Sequence, residues 1–169
     1  METIILPGFS PKNQQWAEET RDGLKSLGSS SVAYWEHWQT GQAEPGWINK
    51  ETEKLLTSLR GKQINIIAKS IGTIVAMGIL KKNPRSINKI ILCGIPVRDF
   101  AKGDEKEYQL LLGFPEANIL CIQNNDDNHG SYQDVEKFIH SINPNIRIIS
   151  KPRSDHEYPY VEDFLNFLV

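Results

Sequence analysis

The sequence has few cysteines, no long apolar run and no excess of charge of either sign. Its 169 residues include only Cys93 and Cys121, too few for a disulfide framework. Both lie in apolar runs, so we expect two buried, reduced thiols. No apolar run approaches the roughly 18 residues of a membrane-spanning helix, and the first residues lack the basic and apolar regions of a signal peptide. These absences predict a cytoplasmic protein.

The charges are nearly balanced, with 19 basic and 21 acidic residues and a net charge of −2. Because phosphate groups are bound by an excess of basic residues, neither nucleic acid nor an anionic membrane is expected as a partner. Hydrophobic residues make up 39% of the chain, as in ordinary globular proteins. No repeat or linker divides the sequence, so we predict one domain over residues 1–169.

Short β-branched runs alternate with helical patterns along the chain. Strands are predicted at residues 3–6, 31–35, 64–68, 88–94, 118–123 and 146–150. Helices are predicted around residues 11–27, 48–60, 71–82, 104–112, 131–142 and 161–168. Ser10 is expected to be the N-cap of the first helix. The alternation predicts an α/β fold, a three-layer α/β/α sandwich with a mainly parallel sheet of about six strands.

Ser70 stands where a predicted strand meets a predicted helix. The pentapeptide Ala68 to Gly72, AKSIG, fits the pattern G-x-S-x-G with alanine in the first place. That pattern makes a tight turn on which a serine hydroxyl projects above the sheet. The alternative is that Ser70 is simply a helix N-cap. The strand–turn–helix context favours a nucleophile, because functional residues collect at the carboxyl ends of parallel strands.

A serine nucleophile needs a base to take its proton. His156, in SDHEY, follows the last predicted strand and is the favoured base. His37 also follows a strand and is a weaker candidate, or a pocket residue. His129 is expected to face solvent, and His140 falls in a helical pattern.

The base in turn needs an acid that orients it. Asp126 and Asp127 follow the fifth predicted strand, and at most one of two adjacent carboxylates is expected to face the base. The alternative is an ordinary turn rich in Asn and Asp. Asp155, next to His156, is a second candidate for the acid.

These features together make the chain resemble the α/β-hydrolase superfamily. The shared features are the elbow AKSIGT, the order serine, acid, histidine, and a first strand that ends in PGF. The resemblance spans essentially the whole chain. It implies a minimal α/β-hydrolase fold without a cap domain, since residues 95–117 leave room for only one short helix between the fourth and fifth strands.

The resemblance also implies roles for particular residues. Matching Asn124 to the glycine of the superfamily's G-x-x-D loop places the acid at Asp127. The implied catalytic residues are Ser70, Asp127 and His156, and the implied oxyanion hole consists of the backbone N–H groups of Ile71 and of Phe9 or Ser10. Two departures are an alanine at the first elbow position and a proline where many members have the oxyanion-loop histidine. No metal or cofactor is implied.

The predicted function is hydrolysis of a small carboxylic ester through an acyl-enzyme, with a thioester or amide also open. A site without a lid favours a small-molecule substrate. Phe9, Trp35 and Trp38 are candidates for a pocket lining, with plain packing as the alternative for the tryptophans. Two further alternatives on the same fold involve no chemistry: a ligand-binding protein, and an interaction module that uses YWEHW as its contact patch.

Overall fold

A computed structural model describes all 169 residues and contains one six-stranded sheet. The strands lie in the order β2-β1-β3-β4-β5-β6, and every neighbouring pair is parallel. Their bounds are β1 Glu2–Leu6, β2 Ser29–Val32, β3 Ile64–Lys69, β4 Ile87–Cys93, β5 Ile119–Asn124 and β6 Arg147–Lys151. The predicted parallel sheet of about six strands is confirmed.

Helices connect the strands. The α-helices are α1 Asn13–Gly23, α2 His37–Thr40, α3 Trp47–Ser58, α4 Gly72–Lys82, α5 Asp104–Glu107, α6 Tyr132–Ile142 and α7 Val161–Leu168. Short 3-10 turns occupy Lys25–Leu27, Pro84–Ser86, Tyr108–Gly113 and Glu116–Asn118. Each predicted helical pattern therefore contains helix, although the one at 104–112 divides into α5 and a 3-10 turn.

The central strands are apolar at almost every position because helices cover both faces of the sheet. Along β3, for example, Ile66 belongs to the larger of two buried clusters and Ile67 to the smaller. Consecutive strand residues point to opposite faces, so the two clusters are the two faces of the sheet. Residues of α4 and α6 complete the larger cluster, and residues of α1 and α7 complete the smaller one. The predicted three layers are confirmed.

The first two loops differ from the prediction. Helix α1 begins at Asn13 and not directly after Ser10, whose hydroxyl instead accepts a hydrogen bond from the Lys12 N–H (3.3 Å) within the preceding turn. Strand β2 lies at Ser29–Val32 and not at 31–35. It is an edge strand, so it needs no continuous apolar run, and the apolar residue Trp35 lies beyond it.

Neither cysteine takes part in a disulfide. Cys93 and Cys121 are free and fully buried, and burial raises the pKa of the Cys121 thiol to about 12. The predicted pair of buried thiols is confirmed. No helix combines the length and the apolar composition that crossing a membrane requires.

Gly72, the first residue of α4, allows two parts of the chain to approach closely. A Cβ atom at this position would lie 2.2 Å from the carbonyl oxygen of Leu6 and 2.8 Å from that of Pro7. Both oxygens belong to backbone, which yields little to such a clash. A residue without a side chain is therefore needed for the end of β1 to pass directly over the start of α4.

We predict that Gly72→Ala destabilises the protein, because the new methyl group must displace the backbone at Leu6. The free energy of unfolding should fall by about 3 kcal/mol or more. Gly113→Ala is the matched control, since nothing lies within 4 Å of its added Cβ, and it should change the free energy by less than about 1 kcal/mol. Urea unfolding measures both, and equal stabilities of the two variants would contradict the prediction.

Candidate active site

Ser70 lies on a sharp turn between β3 and α4. Its φ angle of 56° is the only positive φ of a residue other than glycine. A left-handed backbone at such a residue costs about 1–3 kcal/mol, so the surrounding structure must hold it. The Ser70 N–H donates to the Cys93 carbonyl (2.9 Å), and the Ser70 carbonyl accepts from the Thr73 hydroxyl (2.6 Å). The turn fixes Ser70 at the carboxyl edge of the sheet.

Asp127 and His156 are in direct contact at the same edge. Asp127 follows β5, and its side chain is fully buried. Its Oδ2 accepts hydrogen bonds from Nδ1 of His156 (2.6 Å) and from the Tyr158 hydroxyl (2.6 Å), and its Oδ1 accepts from the His129 N–H (2.8 Å). Three donors therefore satisfy a carboxylate that has no access to water.

The hydrogen bonds of Asp127 determine its ionisation. Burial by itself raises the pKa of this carboxyl, but the hydrogen bonds from His156 and Tyr158 oppose burial, and the net pKa lies below the ordinary value of 3.8. Burial also raises the pKa of Tyr158 well above its ordinary value, so its hydroxyl keeps the proton that it donates. At neutral pH Asp127 is therefore a carboxylate that accepts the hydrogen bond from Nδ1 of His156.

The segment that carries His156 is held on both sides of the histidine. The side-chain amide of Asn124 donates to the carbonyls of Asp155 and Glu157, both at 2.8 Å. The amide oxygen of Asn124 accepts from the Tyr160 hydroxyl (2.5 Å). An asparagine at the position that the superfamily resemblance assigns to glycine thus ties the histidine loop to the end of β5.

The residue before Ser70 makes a second connection to this segment. The buried ammonium of Lys69 pairs with the carboxylate of Glu157 at 3.1 Å. Lys69 precedes the candidate nucleophile and Glu157 follows His156. The ion pair therefore joins the serine turn to the histidine loop.

The structure brings Asp127 and His156 into contact but forms no hydrogen bond between His156 and Ser70. Nδ1 of His156 faces Asp127, and Nε2 is buried without a hydrogen-bond partner. The Ser70 hydroxyl also makes no hydrogen bond. Both groups are therefore free for a partner at the carboxyl edge of the sheet.

Two backbone N–H groups beside Ser70 are also free. Neither the Phe9 N–H in the loop after β1 nor the Ile71 N–H makes a hydrogen bond. The close approach at Gly72 brings that loop against the start of α4, where the helix dipole favours negative charge. These are the residues that the sequence resemblance implied as the oxyanion hole.

A cavity of about 340 Å³ opens over Ser70. Its walls are mostly apolar, with Ser70, Asp99 and His129 as the polar residues. The lining consists of Phe9, Trp47, Ser70, Ile71, Ile74, Pro96, Asp99, Phe100 and His129. Of the three aromatic residues predicted for the lining only Phe9 is present, and Trp47 was not predicted. Trp35 and Trp38 instead donate hydrogen bonds to backbone carbonyls of the loop after β1.

The other candidate acids lie elsewhere. Asp126 is exposed and its carboxylate makes no hydrogen bond, and Asp155 pairs with Arg153. Neither contacts an imidazole.

The other candidate histidines have different surroundings. His140 lies in α6, as predicted, and bonds to the Ile146 carbonyl. His129 does not simply face solvent: it lines the cavity, pairs with Asp99, and its ring centroid lies 4.3 Å from that of His156. The carboxylate of Asp99 holds it there.

Sequence reasoning missed Tyr158 as a partner of Asp127. A signal was present, because Tyr158 lies two residues after His156 in a segment without helix. Alternate residues of an extended chain point to the same side, so a tyrosine at this spacing can share an acceptor with the histidine.

No protein-family model and no curated protein matches the sequence. Solved structures do match it. An α/β serine hydrolase homologue from Coxiella burnetii is 17% identical, with a TM-score of 0.74, over 100% of this chain and 83% of that one. XC6422 from Xanthomonas campestris, an α/β serine hydrolase without a lid, is 14% identical with a TM-score of 0.70, over 99% and 78%. The ydeN gene product of B. subtilis is 13% identical with a TM-score of 0.71, over 99% and 98%.

The chain therefore has the α/β-hydrolase fold, in its minimal form without a lid. Between β4 and β5 it has only α5 and two 3-10 turns, where a lid would require a longer insertion. The fold predicted from the sequence is confirmed. Because one fold carries many activities, the chemistry must be argued from the site.

We predict that Asp127→Asn destabilises the protein more at neutral pH than in acid. The folded pKa of Asp127 lies below the unfolded one, so its carboxylate stabilises the folded state above about pH 4, and this contribution disappears as pH falls through the folded pKa. Relative to wild type, the free energy of unfolding should fall by about 1–3 kcal/mol at about pH 7 and by less at about pH 3.

Urea unfolding of both proteins at the two pH values measures this difference. Asp126→Asn is the matched control, because the neighbouring carboxylate is exposed and makes no hydrogen bond. If the loss of unfolding free energy in Asp127→Asn stays constant or grows in acid, the ionised, hydrogen-bonded state of Asp127 is contradicted.

Proposed function

We propose that this protein is a serine hydrolase that cleaves small carboxylic esters through an acyl-enzyme. The observation that carries the proposal is the strained turn of Ser70 at the same sheet edge as the buried Asp127–His156 pair. A serine held at φ 56° gains nothing as a helix cap, since its hydroxyl caps no N–H group. Strain at such a residue is retained where it serves a function.

In the proposed reaction Ser70 Oγ attacks the ester carbonyl while Nε2 of His156 takes the hydroxyl proton. The bond from Oγ to the carbonyl carbon forms, and the bond to the alcohol oxygen breaks as His156 returns the proton to it. Water then attacks the acyl-enzyme by the same proton transfers and releases the acid. Asp127 holds Nδ1 of His156 and stabilises the imidazolium in both steps.

The geometry of His156 supports this assignment. Of the two ring nitrogens of His156, only Nδ1 bonds to Asp127, so Nε2, which has no partner, is left to take the Ser70 proton. The reaction requires the Ser70 hydroxyl to come within hydrogen-bond reach of Nε2. Such contacts are commonly long before a substrate is bound and shorten in the reacting complex.

We assign the oxyanion hole to the N–H groups of Ile71 and Phe9. Both lack hydrogen-bond partners, and the close approach at Gly72 brings their two segments together. Pro7 replaces the histidine that many related loops carry, but a backbone donor does not depend on that side chain. Removal of one such donor typically costs about 10²–10³ in kcat.

The cavity over Ser70 supports a small substrate. Its volume of about 340 Å³ is near the lower end of the range for small-molecule sites, roughly 300–1,000 Å³. Phe9, Trp47, Ile74 and Phe100 offer apolar walls to a short acyl group. Without a lid the site stays open to water and offers few walls to a long acyl chain, so a long acyl chain is disfavoured.

The two non-catalytic alternatives are less well supported. A binding protein on this fold has no need of a strained serine or of a buried carboxylate that orients a free imidazole. An interaction module with YWEHW as its contact patch would expose the rings of that segment. Tyr34 is exposed, yet Trp35 and His37 are buried and their ring N–H groups bond within the chain.

We predict that the protein hydrolyses p-nitrophenyl acetate and butyrate with an initial burst, because p-nitrophenolate leaves during acylation and we expect the later water attack on the acyl-enzyme to limit turnover. The ratio kcat/KM should fall for decanoate, since the cavity holds only a short chain. Ser70→Ala and His156→Ala should each lower kcat by about 10⁴-fold or more.

Ser141→Ala, an exposed serine on α6 that bonds only to the Phe138 carbonyl, is the matched control and should leave the rate unchanged. Turnover that persists in Ser70→Ala would rule out the proposed nucleophile. Absence of turnover for every ester tested in the wild-type protein would favour the binding alternatives.

A further inference from the structure

Three ring N–H groups converge on two consecutive carbonyls of the loop after β1. The indole of Trp35 donates to the Gly8 carbonyl at 3.1 Å. Nε2 of His37 and the indole of Trp38 both donate to the Phe9 carbonyl, at 2.8 Å and 2.7 Å. All three donors come from the short segment between β2 and the end of α2. We call these three side chains the ring clamp.

The ring clamp fixes the direction of the free N–H groups in the loop. In a trans peptide the carbonyl of one residue and the N–H of the next point in opposite directions. Trp35 holds the Gly8 carbonyl on its side, so the Phe9 N–H of the same peptide points away from Trp35. His37 and Trp38 hold the next peptide in the same way, so both peptides flanking Phe9 are fixed.

Packing of the Phe9 side chain does not hold the loop. Phe9 is 50% exposed, an unusual state for a large apolar residue in a loop that must stay in place. Its ring stacks on the His37 ring, with centroids 4.4 Å apart and an angle of 22°. The Trp47 ring makes a second, edge-on contact at 5.7 Å. The hydrogen bonds of the ring clamp are the direct polar contacts to the two peptides that flank Phe9.

The tautomer of His37 follows from its contacts. A carbonyl oxygen only accepts hydrogen bonds, so Nε2 of His37 must carry a proton. Nδ1 is buried and has no partner. His37 is 92% buried between Phe9 and Trp47. Packing between these two rings requires neither a polar side chain nor the unpaired Nδ1. A phenyl ring would fill the same space without that cost.

We propose that His37 is a positioning residue for the oxyanion hole, acting with Trp38 through the Phe9 carbonyl. The inference rests on the proposed serine hydrolase function. His37 does not touch the reacting atoms. Its hydrogen bond fixes the peptide that follows Phe9, while Trp35 fixes the peptide that precedes it. Together the two bonds keep the Phe9 N–H aimed at the developing negative charge on the substrate carbonyl oxygen, so the effect of His37 belongs to the transition state and not to substrate binding.

The test compares two substitutions of His37 that differ in one hydrogen bond. His37→Phe keeps a ring to stack on Phe9 but has no donor. His37→Gln places an amide nitrogen near the position of Nε2 and restores the donor. His140→Phe is the matched control, because His140 also bonds through Nε2 to a backbone carbonyl, that of Ile146 just before β6, at the opposite edge of the sheet.

We expect His37→Phe to lower kcat for p-nitrophenyl butyrate by about 10-fold with KM little changed, since a small misplacement of a donor can cost up to about 100-fold. His37→Gln should recover most of the loss. His140→Phe should leave kcat unchanged even if it lowers the free energy of unfolding as much as His37→Phe does. Thermal unfolding of every variant confirms that the protein measured is folded.

A second readout separates positioning from a general structural effect. In the thiono analogue of the ester, sulfur replaces the carbonyl oxygen and accepts hydrogen bonds poorly. The ratio of kcat/KM for the oxygen ester over the thiono ester therefore reports the strength of the oxyanion hole. It should be smaller in His37→Phe than in the wild type and in His37→Gln.

Each outcome decides the proposal. A wild-type ratio in His37→Phe, an unchanged kcat, or equal losses in His37→Phe and His37→Gln would overturn the role of His37 while leaving the hydrolase function intact. A wild-type protein that turns over no ester would instead remove the proposed function, and the positioning role would be rejected with it. A lower kcat, a smaller ratio and rescue by glutamine together would establish it.

Discussion

The left-handed backbone at Ser70 is the constraint on which the candidate site depends. A conformation that costs about 1–3 kcal/mol persists only where neighbours enforce it. Here the Cys93 carbonyl holds one side of the turn and Thr73 the other, and both belong to elements buried in the core. Gly72 adds the third condition, because only a residue without a side chain lets β1 pass over the turn. Gly72 thus helps to hold the turn at Ser70 and allows the loop after β1 to lie beside it.

The carboxyl edge of the sheet joins segments that are distant in sequence. Parallel strands end at the same edge, so the loops after β1, β3, β5 and β6 meet there without any long excursion of the chain. Buried polar contacts then fix the loops to one another. Asn124 ties the loop after β6 to β5, Lys69 ties it to β3, and the ring clamp ties the loop after β1 to the segment after β2. Side-chain contacts between the segments therefore hold each loop in position.

Much of the fold could be predicted from the sequence, because central parallel strands are apolar on both faces and so appear as continuous apolar runs. The edge strand β2 was misplaced because its serines need no such run, and Trp35, which extended the apparent run, serves the ring clamp instead. Ser70 was found because its turn has a local pattern. Tyr158 and Trp47 were missed because their partners lie far away in sequence. The spacing of Tyr158 from His156 was a signal, whereas only the packing of the loops reveals Trp47. The roles of Ser70, Asp127 and His156 remain predictions.

The most direct test of the account is reaction of the folded protein with a fluorophosphonate, followed by peptide mapping of the adduct. This reagent modifies a serine only when a base activates it, so it probes the chemistry of Ser70 without assuming a substrate. We expect one phosphonyl group per chain, located on Ser70, and no adduct when the protein is unfolded in urea before the reagent is added. An unmodified folded protein, or an adduct on any other residue, would contradict the claim that Ser70 is an activated nucleophile.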